Sequence, residues 1–257
     1  MKKIHLSLSF IWILCLLSFG LKAAEENTTP LTDVWVITID NVNKKAFEQA
    51  LKAHMQYRVD KGEKLNWDVY TQVIGDQLNT YALRGCCTNW DKISDHNDWS
   101  KAAKTSKHWH ENVVKYIKHR EHFYSKADID NSSWDTTKTF KYFSVDTLYP
   151  KPGEGFEMQA SIKAISDAAK QMKWPESWSW NSRIGGKPML QLVVGHESYA
   201  DMMPQEKSFF VRLSEQMDSK EKAQELLEEY GGSFSETNYS VWVHRRGLSS
   251  PETISKK

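Results

Sequence analysis

Cysteine is scarce in this chain of 257 residues, and its three cysteines cannot form a disulfide framework. Cys15 lies in an apolar N-terminal run, which leaves only the neighbours Cys86 and Cys87. Side chains of adjacent strand residues point to opposite faces, and a bond between them closes a small, strained ring. We therefore expect two packed thiols, with a vicinal disulfide as the alternative in an oxidising compartment.

The chain also lacks an excess of either charge, because 34 Lys and Arg face 33 Asp and Glu. Without a whole-protein field, neither nucleic acid nor a membrane surface is expected as a partner. The sequence contains no Gly-rich phosphate loop, no Gly-x-Ser-x-Gly, no His-Glu-x-x-His and no cysteine pair with zinc spacing. We therefore predict no metal and no cofactor.

Long apolar runs are absent after the first residues, where Leu6 to Leu21 carries no charge. Lys2 precedes this run, and Ala23 and Ala24 follow it, which is the pattern of a secretory signal peptide. The run is short for a membrane span, so an uncleaved anchor is the weaker alternative. We expect cleavage after Ala23 or Ala24, a periplasmic or secreted mature protein, and no membrane contact after cleavage.

What the sequence does contain is an internal repeat. A shift of the sequence by 111 residues superposes two segments of the same character. The superposed pairs are Val34 with Val145, Phe47 with Met158, Leu51 with Ile162, Trp67 with Trp178 and Gly75 with Gly186. Similarity over such a length outweighs any single propensity and predicts two copies of one unit.

Each copy has the same predicted order of elements, β-α-β-β-α-β, which is the ferredoxin-like motif. Predicted strands cover 34–39, 67–74, 80–86 and 134–139 in the first copy, and 143–148, 178–184, 189–194 and 239–244 in the second. The second helical region of each copy is predicted at 100–124 and 205–230. An antiparallel sheet with helices on one face needs a cover on the other, and the second copy can supply it.

These patterns divide the chain into five predicted parts. A signal peptide covers 1–23, and a flexible N-terminal segment covers 24–32. The first ferredoxin-like repeat covers 33–140 and the second covers 141–247, while 248–257 form a disordered tail. The fold class is therefore α+β, with the two repeats packed sheet to sheet.

Two such units, each with an apolar first strand and a hairpin that ends in glycine, resemble the dimeric α+β barrel superfamily. The segments that follow the hairpins, Cys87 to Trp90 and His196 to Tyr199, stand where that superfamily begins its second helix. The resemblance covers antibiotic-biosynthesis-type monooxygenases, NIPSNAP proteins, haem-degrading monooxygenases and, as a fused pair, chlorite dismutases. It implies an intramolecular α+β barrel, a monomer that is an internal pseudo-dimer, and a ligand cavity between sheet and helices.

His54 is the foremost candidate for a functional side chain. It falls at the centre of the apolar arc formed by Phe47, Leu51 and Met55, where the other copy has Ile165. An unpaired buried polar group costs a few kcal/mol, so the imidazole needs a partner or a pocket. A core histidine with one hydrogen bond is the alternative to a ligand or catalytic role.

Aromatic residues are plentiful, with 11 Trp, 10 Tyr and 10 Phe, and they serve either a core or a pocket wall. We predict Trp67, Trp178 and Trp180 as aromatic wall of a ligand site, although a core role is equally compatible with their positions. His196 and Tyr199 stand at a strand exit, where a pocket mouth or plain surface is possible. His54 and His196 are the candidate catalytic residues.

Four further histidines, 108, 110, 119 and 122, are predicted on a solvated basic helix face rather than around a metal. Haem-handling relatives use an axial histidine on the second helix, where this chain offers His110 or His119. Neither falls on the apolar stripe, so no haem is predicted.

Three hypotheses follow. The preferred one is an exported protein that binds a small apolar or aromatic ligand. The second is a cofactor-independent monooxygenase acting on an aromatic or quinol-type substrate, with His54 or His196 moving a proton. The third is an interaction module without a small ligand, whose basic helix from Lys101 to Lys126 docks an acidic partner.

Overall fold

The computed structural model describes residues 30–251, and within them one order of elements occurs twice. The first half comprises β1 (Leu31–Ile39), α1 (Lys44–Asp60), β2 (Asn66–Ile74), β3 (Thr80–Thr88), α2 (Trp90–Ala102), α3 (Thr105–Asn112) and β4 (Ile117–Ser133). The second comprises β5 (Tyr142–Pro150), α4 (Gly155–Gln171), β6 (Ser177–Ile184), β7 (Leu190–His196), α5 (Phe209–Gln216), α6 (Lys220–Gly232) and β8 (Phe234–His244). The predicted signal peptide lies outside the described residues.

Both halves have the ferredoxin-like strand order. Strands β4-β1-β3-β2 form one antiparallel sheet and β8-β5-β7-β6 form the other. The pairings β2 with β8 and β4 with β6 join the two sheets into a closed eight-stranded barrel. The predicted α+β fold, with two repeats that shield each other's sheets, is confirmed.

Each half has its own apolar core between its sheet and its helices. In the first half, α1 buries Phe47 and Leu51 completely, and the Phe47 ring lies 4.8 Å from that of Tyr81 on β3. In the second half, Ile162 of α4 packs in one cluster with Trp180 of β6. Each fully buried side chain of this kind contributes roughly 1.5–3 kcal/mol through burial, so the helices are held on the outside of the barrel.

The predicted helix at 100–124 is wrong in its second part. The helical region ends with α3 at Asn112, and the chain is a strand from Ile117 onwards. Phe123 and Ser125 are buried while Arg120 and His122 are exposed, which is the alternation of a strand. Because β4 pairs with both β1 and β6, the hydrogen bonds of two ladders outweigh the local helical spacing.

Two further predictions are wrong for the same reason. The predicted strand at 134–139 is a loop, since β4 has already closed the sheet. The basic helix from Lys101 to Lys126 does not exist as one element, which removes the helix that the docking hypothesis required. The second helical region of each half is two helices rather than one.

Two predicted boundaries also shift. The first strand begins at Leu31, inside the segment predicted as flexible. At the other end, Leu248 is buried and the Ser250 amide donates to the Trp67 carbonyl at 2.8 Å, inside the predicted disordered tail. Backbone hydrogen bonds to β2 therefore order the chain as far as these residues.

The two cysteines do not form packed thiols. Cys86 and Cys87 are exposed near the end of β3, a cis peptide joins them, and their sulfurs form a vicinal disulfide. Both residues are exposed to solvent, whereas packed thiols would be buried. Among residues 30–251, no helix has the length and apolar character to cross a membrane.

Candidate binding site

A cavity of about 360 Å³ lies between the outer face of the first sheet and helices α1 to α3. This volume falls within the range of small-molecule pockets. Its apolar lining comes from Trp35, Met55, Trp67, Leu83 and Trp109. The remaining lining is polar, and its groups fall into three sets that are held by different elements.

The first set surrounds His54, which is 2% exposed and lines the cavity. Its Nδ1 lies 3.1 Å from Nδ1 of His108 on α3, and the Trp109 ring meets it edge-on at 5.0 Å between ring centres. Burial, together with the charge of Arg58, lowers the pKa of His54 to about 3, so the ring is neutral at neutral pH. Within residues 30–251, Nε2 of this ring has no hydrogen-bond partner.

The second set is a buried carboxylate with its cations. The Glu63 side chain is fully buried, and its two oxygens accept from Arg58, from His96 and from the Leu65 amide at 3.0 Å. Burial opposes its ionisation, but the His96 hydrogen bond and the Arg58 charge outweigh burial and lower the Glu63 pKa to about 2. Arg58 in turn lies over the Trp67 ring at 4.8 Å, which fixes one wall of the cavity.

The third set comes from β1 and β4. His122 Nε2 lies 3.0 Å from Oδ1 of Asp33, and its ring stacks on Trp35 at 4.2 Å between centres. Tyr124 meets the same imidazole edge-on, and Arg120 lies over Trp35 at 6.0 Å. Because alternate residues of β4 share one face, Arg120, His122 and Tyr124 all point into the cavity.

A glycine on β3 makes room for one of the indoles. A Cβ added at Gly85 would lie 2.9 Å from the Trp67 ring, closer than real contacts allow. Gly85 and Trp67 are also direct partners in the β2–β3 register. The absence of a side chain at Gly85 therefore allows the Trp67 ring to pack directly against strand β3.

The corresponding space in the second half is occupied by aromatic side chains. Trp180 donates from its indole nitrogen to the Ser166 hydroxyl on α4 at 3.1 Å, and its ring lies near that of Tyr230. Beneath them, Asp146 stands where the first half has Trp35, and burial raises the pKa of its carboxyl. The two halves thus share a fold but differ in the space between sheet and helices.

The structure brings two of the sequence-predicted site residues together, His54 and Trp67. Trp178 is buried in the second half and donates to the Asn131 carbonyl at 2.9 Å. His196 is buried against the Ser144 hydroxyl at 2.9 Å, and burial lowers its pKa. Tyr199 is half exposed and lies 4.2 Å from the Tyr142 ring. None of these three, nor Trp180, lines the first-half cavity.

The sequence reasoning missed the partners of the cavity. Arg58, Glu63 and His96 are separated by turns and helices, and their contacts depend on how α2 lies beside α1. Asp33 and His122 are neighbours only because β4 is a strand, and residues 117–125 carry no alternation of apolar and polar residues that could have revealed this.

The two histidines considered for haem do not form a buried axial site. His119 lies on β4 with 65% of its side chain exposed and pairs with Glu121. His110 is exposed on α3, at the edge of the cavity. Among the described residues, no group of three or more His, Cys, Asp or Glu could hold a metal ion.

Solved structures with this architecture are numerous, although their sequences have diverged. A candidate monooxygenase from Lactobacillus acidophilus superposes with a TM-score of 0.51 at 11% identity, over 84% of this chain and 94% of its own. An anthrone oxidase-like protein gives 0.51 at 10% identity, over 90% and 98%. A chlorite dismutase variant from Candidatus Nitrospira defluvii gives 0.50 at 9% identity, over 84% and 92%.

The chain has the dimeric α+β barrel fold. Both halves of this dimeric α+β barrel are supplied by one polypeptide, as the resemblance implied. No protein-family model and no curated protein matches the sequence. At such identities the superpositions establish the fold alone, because one fold carries many chemistries.

Proposed function

We propose that this dimeric α+β barrel is a small-molecule-binding protein that holds a ligand with an aromatic or conjugated body in its first-half cavity. The observation that carries the proposal is His54, a deeply buried imidazole whose Nε2 borders the cavity without a partner. Among residues 30–251 no fully buried side-chain nitrogen or oxygen lacks a partner, so this Nε2 is open to the cavity and is available for a hydrogen bond with a ligand hydroxyl or carbonyl.

The shape of the walls supports the nature of the ligand. Three indoles, those of Trp35, Trp67 and Trp109, line one cavity and present mostly carbon surface. Their positions are fixed by neighbouring side chains of the lining, since Arg58 lies over Trp67 and His122 stacks on Trp35. Rigid aromatic walls with a few placed polar groups are the usual composition of a ligand pocket.

The test uses 2-naphthol as the probe and the internal repeat as the source of a control. We expect 2-naphthol to raise the melting temperature of the protein, because a ligand of the folded state stabilises it by mass action. Trp67→Phe removes part of the cavity wall and should weaken binding about tenfold by calorimetry, a change that corresponds to roughly 1.4 kcal/mol. Trp178→Phe, the matched position of the second half, should leave the affinity unchanged.

Two results would contradict the proposal. One is the absence of any 2-naphthol effect on the melting temperature or of any heat of binding. The other is an equal loss of affinity in Trp67→Phe and Trp178→Phe, which would mean that the probe does not occupy this cavity.

An oxidative activity is the second candidate function. Among the neighbours in fold are candidate monooxygenases and an anthrone oxidase-like protein, and a cavity of this kind could orient an electron-rich aromatic substrate. A general base works best when its pKa lies near the working pH, and His54 at about 3 is a weak base at neutral pH. Binding is therefore preferred. Oxygen uptake with a naphthohydroquinone that is lost in His54→Gln would reverse this order.

We also propose that the protein works in the periplasm or outside the cell. The support is the basic start, the apolar run and the small residues at 23 and 24, which lie outside the described residues. Expression of the full chain should yield, in the periplasmic fraction, a mature protein that begins at residue 24 or 25 by N-terminal sequencing. An intact N-terminus in the cytosol or the membrane fraction would contradict export.

A further inference from the structure

We propose that the ligand of the first-half cavity is an aromatic carboxylate whose anionic group binds at Arg120. This inference rests on the proposed function and specifies its ligand class.

The acidic groups beside the cavity are already engaged. Glu63 is held by Arg58 and lies 3.2 Å from His96 Nε2, and Asp33 lies 3.0 Å from His122 Nε2. Arg120 differs, because no carboxylate of residues 30–251 forms an ion pair with it. The Arg120 guanidinium carbon lies 6.0 Å from the centre of the Trp35 ring. The cavity therefore has one cation that is left for an incoming anion.

A cationic ligand is disfavoured by the same contacts. Recognition of an ammonium group by indoles requires an open ring face. Arg58 and Arg120 already lie over the Trp67 and Trp35 rings at 4.8 and 6.0 Å, so an ammonium group bound at either ring would meet a like charge. The carboxylate that lines the cavity is Asp33, and its Oδ1 already lies within hydrogen-bond distance of His122 Nε2.

The two ends of the cavity give the ligand a direction. Arg120 is exposed and marks the open end, whereas His54 is almost fully buried and marks the closed end. The ionised group can thus stay partly hydrated at Arg120 while the ring system enters between the indoles. Charge-assisted hydrogen bonds to a guanidinium are about twice as strong as neutral ones, so the carboxylate should dominate selectivity.

The experiment compares three probes of one shape: 2-naphthoate, the neutral 2-naphthamide and the cationic 2-naphthylmethylammonium. Dissociation constants are measured by calorimetry at pH 7 for the wild type, Arg120→Gln and Lys126→Gln. Lys126 is an exposed cation of the same strand that does not line the cavity. We expect naphthoate to bind about tenfold more tightly than naphthamide, and this preference to vanish in Arg120→Gln but to persist in Lys126→Gln.

The outcomes separate this inference from the proposed function. If naphthamide or the ammonium probe binds as tightly as naphthoate, the anion inference is overturned while ligand binding stands. If the preference for naphthoate survives in Arg120→Gln, the assignment to Arg120 is overturned. If none of the probes binds and 2-naphthol also fails, the proposed function falls and this inference falls with it.

Discussion

His54 shows how a single side chain ties the fold to the candidate site. Its neighbours along the helix, Leu51 and Met55, are buried apolar residues, and the imidazole takes a place that the core would otherwise give to an aliphatic group. The contact with His108 satisfies one ring nitrogen and leaves the other toward the cavity. The sequence predicted this position because a polar ring interrupted an apolar arc. It could not predict His108 as the partner, since that contact depends on the packing of α3 against α1.

The burial of His54 makes a prediction for the pH dependence of stability. Its pKa is about 3 in the folded protein, against an ordinary value of 6.5. Between these values the unfolded chain binds a proton that the folded chain does not, so the free energy of unfolding falls as the pH falls. His54→Gln should remove the His54 share of this dependence, about 2 kcal/mol of the loss from pH 7 to pH 5, while His196, whose pKa burial also lowers, keeps its own share. Urea unfolding at the two pH values measures it.

The control for this measurement is His119→Gln. His119 is largely exposed on β4, and its replacement should leave the dependence of the unfolding free energy on pH as in the wild type. Equal slopes for the wild type and His54→Gln would show that the imidazole is protonated in the folded protein as readily as in the unfolded chain.

At the scale of elements, β4 is the strand that the sequence did not predict. The order β-α-β-β-α-β, the hairpins and the duplication follow from local patterns that both halves repeat, and these predictions are confirmed. The stretch from Ile117 to Tyr124 has a helical spacing in its sequence, and its conformation as a strand depends on pairing with β1 and β6. Such pairings join residues far apart in the chain, so a local pattern cannot predict them.

The error in β4 also explains why half of the candidate site was missed. On a helix, His119 and His122 would both face solvent. On a strand, His122 faces the cavity beside Asp33 while His119 remains exposed. Trp67 was predicted as aromatic wall from the abundance of aromatic residues, with a core role as the alternative, and its place in the lining does not depend on β4.

At the scale of the whole molecule, the two halves behave as a dimer whose interface lies within one chain. The β2–β8 and β4–β6 pairings leave no free sheet edge at the junctions, and aromatic side chains such as Tyr70 and Phe143 meet across the halves at 5.2 Å. After β8, the hydroxyl oxygens of Ser250 and Ser249 accept hydrogen bonds from the β2 amides of Trp67 and Val69 at 3.1 and 2.9 Å. A closed barrel of this kind needs no second copy to complete its sheet.

This architecture predicts that the covalent link between the halves is dispensable once the barrel has formed. A specific protease site inserted between Thr137 and Lys138, in the exposed loop before β5, should be cut without separation of the halves. Light scattering should give the mass of one chain before and after cleavage, because two strand junctions and a shared interior hold the halves together. Unfolding of the cut protein should become dependent on its concentration, since the two pieces then dissociate. If the two pieces elute separately after cleavage, the strand pairings between the halves do not suffice to hold them together. A doubled mass for the uncut chain would show that the protein is a dimer of two chains.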